Sequence, residues 1–149
     1  MIPRFALTPI LILFVLAASA CGGSGVRASA TTIEIAALAT STAGDAISLA
    51  SETDARSACP RETPDPDTCL AAVSDRWAPV DLAFSSTRLA LGAWYAGTVA
   101  ASRAEASGGI LEAALAFAGA FARSYADLVA VAAALGLSLP SCPVCDPVR

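Results

Sequence analysis

Five cysteines carry most of the chemical potential of this 149-residue chain: Cys21, Cys59, Cys69, Cys142 and Cys145. Cys142-Pro143-Val144-Cys145 has the spacing of a redox dithiol, whose first thiol is ordinarily activated by the N-terminal dipole of a helix. Here the motif lies in a Pro-containing tail after the last helical pattern, with no βαβ unit around it. A structural disulfide is the stronger reading. A four-cysteine zinc site would compete with oxidation outside the cytoplasm, and Cys59 and Cys69 stand too far apart for a usual knuckle. Glu62, Asp65 and Asp67 put three carboxylates in one turn, without the glycine and closing glutamate of a calcium loop. They read as a solvated acidic loop.

The missing residue types exclude more than the motifs offer. The chain has no His, and it also lacks Lys, Asn and Gln; all its basic residues are Arg. Ser-His-Asp and Cys-His pairs, HExxH sites and imidazole ligands are therefore ruled out. So are a Walker lysine, a Schiff base and an N-glycosylation acceptor. Gly22-Gly23-Ser24-Gly25 has neither the lysine nor the preceding strand of a phosphate loop. No catalytic residue, cofactor or metal is expected. Charged residues make up 15% of the chain, below the ~25% usual for soluble domains, which points to burial or to a membrane nearby. A net charge of −4 disfavours nucleic acid as a partner.

The first residues have the pattern of a targeting segment. Arg4 supplies a positive n-region, Phe5 to Ala17 is an apolar run, and Ala18-Ser19-Ala20 offers small residues for cleavage. The run is shorter than the ~20 residues of a comfortable membrane span, although a retained anchor helix is the alternative. Residues 1–20 are assigned to a signal peptide and 21–30 to a flexible tether beginning at Cys21. Leu16-Ala17-Ala18-Ser19-Ala20-Cys21 resembles the lipobox of bacterial lipoproteins, with Ala18 where that family most often has Leu. The resemblance covers the leader alone. It implies that Cys21 is acylated, palmitate being a typical chain, and becomes the new N-terminus. Gly22 after the cysteine is compatible with export to the outer membrane where the host has two membranes. Ordinary secretory cleavage after Ala20 would leave Cys21 a free thiol. Five is an odd number, and lipidation of Cys21 accounts for the unpaired cysteine.

Residues 31–149 read as one all-α unit: a three-helix up-down-up antiparallel bundle, rich in Ala, with a Cys-containing tail. The first helix is expected from Thr31 to Ser57, with Ile35, Leu38, Thr42, Ala46 and Leu49 facing inward and Glu52 pairing with Arg56. Pro60, Pro64 and Pro66 break the chain before a second helix capped by Asp67 and running from Thr68 to Ala104. Trp77, Phe84, Leu91 and Thr98 recur every seven residues there, joined by Val80, Thr87, Trp94 and Ala101. Pro79 predicts a kink or break near Asp75–Ala78. The third helix, Ile110 to Leu135, is expected to start at a Ser107 cap. It should bury Leu111, Ala114, Ala118, Phe121, Tyr125, Leu128, Ala132 and Leu135, pair Arg123 with Asp127, and end at Gly136.

In such a bundle the first turn and the end of the third helix share a pole, so Cys59, Cys69, Cys142 and Cys145 can meet there. Two disulfides are expected in an exported protein. Crosslinks from turn to tail, each worth ~4 kcal/mol in the chain-entropy model, are favoured over local pairing. Tyr95 sits beside the core stripe and is the candidate partner contact, whereas Trp77 and Trp94 belong to the core. Together these features imply a non-catalytic lipoprotein of a bacterial or phage envelope, anchored by N-terminal acyl chains and facing the periplasm. It would be structural, or bind an envelope protein or a second copy of itself. Two alternatives stand beside this. One is a phage lysis-cassette lipoprotein similar to outer-membrane spanin subunits; the other is a thiol–disulfide oxidoreductase working through Cys142 and Cys145.

Overall fold

The computed structural model describes residues 24–103 and 108–145. Three helices make up almost all of this: α1 Ser24–Ala58, α2 Pro66–Arg103 and α3 Gly108–Ala134. No strand occurs among the described residues. The predicted signal segment, Cys21 and the Ser107 cap lie outside them. α1 begins at Ser24, so residues 24–30, assigned from sequence to a flexible tether, are helical.

α1 buries a different stripe from the one its largest side chains suggest. Ile33, Ala36, Ala39, Thr40, Ala43 and Ile47 face inward, while Ile35, Leu38 and Leu49 are exposed. Both stripes have helical spacing, so periodicity alone does not choose between them. Packing does: a Cβ on Gly44 would stand 2.7 Å from Cζ of Phe84. Where the helix comes this close to the rings of α2, around Gly44, it can bring only small side chains to the contact.

The start of α2 is set two residues earlier than expected. The Thr68 amide donates to Oδ1 of Asp65 at 3.2 Å, so Asp65, not Asp67, caps the helix. Pro66 then occupies the first helical position, where its missing N–H costs nothing. Hydrogen bonding to Thr68 holds the Asp65 carboxyl below the ordinary aspartate value. Pro79 lies inside α2 without ending it. Val73, Trp77 and Val80 are buried on both sides of the proline, and this packing keeps the helix continuous against a local cost of ~3 kcal/mol. The seven-residue seam reads as predicted: Trp77, Val80, Thr87, Trp94, Thr98 and Ala101 are buried, with Phe84 and Leu91 packed beside them.

α3 answers with Ala114, Phe121, Tyr125, Leu128 and Ala132. The Phe121 ring lies 5.7 Å from Trp94 and 6.0 Å from Tyr125, within the range of favourable tilted aromatic pairs. Gly97 gives the same close approach here that Gly44 gives on the other side, since a Cβ would meet Phe117 Cδ2 at 2.9 Å. The buried Thr87 hydroxyl lies 2.9 Å from the Ala83 carbonyl and 3.0 Å from that of Ser124, joining α2 to α3. Thr40 and Thr98 return their hydroxyls to carbonyls one turn back. No buried side-chain polar atom among the described residues lacks a partner. Gly136, at φ +78°, closes α3 as predicted. Its amide donates to Ala133 and that of Leu137 to Ala132, the paired bonds of a Schellman cap. The tail then returns over the core, with Leu137, Leu139, Val144 and Cys145 packed against it and Cys142 buried.

Candidate functional site

The disulfides join Cys59 to Cys69 and Cys142 to Cys145. The turn-to-tail crosslinks favoured from sequence are therefore corrected to local ones. The reason lies in the turn: the chain between Ala58 and Pro66 doubles back tightly enough to set the Cα atoms of Cys59 and Cys69 5.8 Å apart. That lies within ordinary disulfide reach. Cys142 and Cys145 meet across a turn closed by the Cys145 amide donating to the Cys142 carbonyl at 3.0 Å. This turn follows α3, and among the described residues it opens no helix whose dipole could act on either sulfur. Among the described residues no cluster of three or more His, Cys, Asp or Glu side chains could hold a metal.

The densest polar constellation is one that sequence reading missed. Asp54, near the end of α1, accepts two bonds from Nη1 of Arg76, at 3.1 and 3.0 Å. Its Oδ2 also accepts the Trp77 indole N–H at 2.9 Å. Glu52–Arg56 was legible because its partners are one turn apart, and it forms at 3.2 Å. Asp54 and Arg76 belong to different helices, and no periodicity links them. The expected Arg123–Asp127 pair does not form. The Asp54 cluster borders a shallow open groove of about 570 Å³, which Leu49, Leu135 and Leu137 also line. Through Arg76 and Trp77, Asp54 clamps α1 to α2. Asp54→Ala should lower stability by about 1–2 kcal/mol, since the indole N–H loses its acceptor while the ion pair itself is half in water. Chemical denaturation would measure this.

Tyr125 clamps the tail. Its hydroxyl donates to the Pro140 carbonyl at 2.7 Å, and burial pushes its phenol above the ordinary tyrosine value. A group whose value rises on folding stabilises below its unfolded value and loses that contribution as pH climbs through the folded one. Stability should therefore fall above about pH 10, and Tyr125→Phe should remove that dependence while costing about 1 kcal/mol at neutral pH. pH-resolved thermal melts would show both.

Tyr95 is 60% exposed and stands between two adjoining grooves along the α1–α2 seam. The larger, about 640 Å³, is also lined by Asp45, Phe84 and Arg88. The Arg88 guanidinium sits 6.0 Å above the Phe84 ring. Within α3, Glu112–Ala134 is long and apolar enough to cross a membrane by length and composition, with 22% of it buried. The core helix of a soluble protein, mostly buried, has the same length and composition. Neither a protein-family profile, a curated protein nor a solved structure matches the chain.

Proposed function

We propose that this chain is a non-catalytic lipoprotein of a bacterial or phage envelope, held at the membrane through an acylated Cys21. The observation that carries the reading is the cysteine arithmetic. Four of the five cysteines are taken by disulfides, which leaves Cys21, at the end of the lipobox-like leader, for another chemistry. Disulfides of this kind suit an oxidising compartment outside the cytoplasm. A thioether-linked diacylglycerol and an amide-linked chain together suffice for stable anchoring, where one chain would not.

The domain beyond the anchor is an up-down-up antiparallel bundle. Asp54 meets Arg76, Gly44 lies beneath Phe84, and Ile33 shares a groove with Tyr95 and Thr98. The α2 positions thus rise as those of α1 fall. Thr87 with Ser124, Trp94 with Phe121 and Gly97 with Phe117 follow the same rule between α2 and α3. The role of such a unit is to present a surface at the envelope, with Tyr95 its most exposed aromatic side chain among the described residues. Metabolic labelling with an alkyne fatty acid tests the anchor. The wild-type chain should take up label, Cys21→Ser should not, and an unlabelled wild type would end the reading.

A further inference from the structure

We propose that a second copy of this chain covers the outward face of α2, forming a two-fold antiparallel α2–α2 pair. α2 packs against α1 along one flank and α3 along the other, and its third side faces water. Ala78, Leu82, Ser85, Leu89, Gly92 and Ala96 line that side in alternating steps of four and three residues, all of them exposed. Leu82 and Leu89 are 71% and 76% exposed, more than any other large apolar side chain among the described residues. No charged residue interrupts the stripe over this span. A contiguous apolar stripe on an otherwise polar outer face marks a contact surface, and a 3.5-residue step is the spacing by which one helix lies along another.

Charge identifies the occupant. Asp81 and Arg88 stand seven residues apart on one edge of the stripe, and Tyr95 follows seven further on. Neither charge enters an ion pair among the described residues, whose salt bridges are Glu52–Arg56 and Asp54–Arg76. A two-fold axis beside α2, level with the midpoint of Leu82 and Ser85, brings Asp81 of each copy to within two residues' rise, about 3 Å along the helix, of Arg88 of the other. It also places Leu82 opposite Ser85 and Leu89 opposite Ala78. That axis falls at the middle of Pro66–Arg103, so the two helices overlap along nearly their whole length. A parallel pair would leave both charges unanswered. Tyr95 then lies at the rim of the contact, where a half-exposed tyrosine is common. The pairing is independent of the lipid anchor.

Sedimentation equilibrium of the full chain in density-matched detergent at low salt provides the test. The wild type should be dimeric, and Asp81→Arg or Arg88→Asp alone should weaken the dimer ~10-fold or more by setting like charges together. The exchanged double variant, D81R with R88D, should regain wild-type association. Helical content, followed by circular dichroism, should not change in any of them, because both residues are exposed. A wild type that stays monomeric at every concentration overturns the proposal. So do single reversals that leave association unchanged, or a double variant that fails to regain it.

Discussion

Phe121→Ala should cost about 3–5 kcal/mol of folding stability, the range for removing a large aromatic side chain from a closed core. The Phe121 side chain is among the largest fully buried ones in the described chain. Its ring touches Trp94 across the α2–α3 contact and Tyr125 one turn along its own helix. The hole would not close easily, because α2 and α3 are already held together through Gly97 against Phe117 and through the Thr87 hydroxyl. The loss should appear as a lower denaturant midpoint with an unchanged slope. A loss below ~1 kcal/mol would mean that α2 and α3 do not share this core.

Removing the Cys59–Cys69 crosslink should have the next largest effect. The loop it closes has a separation of 10 residues, for which the chain-entropy model gives about 3 kcal/mol. Cys142–Cys145 has a separation of 3 and should be worth only about 2 kcal/mol on the same basis. The double change Cys59→Ser with Cys69→Ser should therefore lower the melting temperature more than Cys142→Ser with Cys145→Ser. Equal losses, or the reverse order, would point to turn-to-tail crosslinks in solution. Reduction of both disulfides should destabilise the protein by less than two long-loop crosslinks would.

Much of α2 and α3 was legible in the sequence because their large side chains fall on the buried stripe. Trp77, Trp94, Phe121 and Leu128 announce the inward face, and Gly136 announces the end of α3. α1 was misread for the same physical reason. Its partner supplies the bulk at the contact, so the middle of its buried stripe is Ala36, Ala39, Thr40 and Ala43 between Ile33 and Ile47, while Ile35, Leu38 and Leu49 point outward. A rule that seeks the most apolar face fails wherever close approach matters more than side-chain size. The break that Pro79 suggested does not occur, because packing on both sides of it outweighs a local penalty. Among the site residues, the disulfide partners were identified as a set. Their connectivity depends on how tightly the chain turns after Ala58, and composition does not encode that. The Asp54–Arg76–Trp77 clamp joins residues distant in sequence and needed the packed helices to be seen.

The two proposals differ in what would defeat them. Dimerisation through α2 depends on Asp81, Arg88 and the exposed Leu82 and Leu89, none of which bears on the lipid anchor. The envelope reading rests instead on the fate of Cys21. Intact mass spectrometry of the membrane-extracted protein, before and after reduction, measures that fate most directly. The account predicts the mass of the chain from Cys21 onward plus acyl chains, gaining two hydrogens for each of its two disulfides on reduction. An unacylated mass, with the leader either removed or retained, would contradict it and leave Cys21 a free thiol.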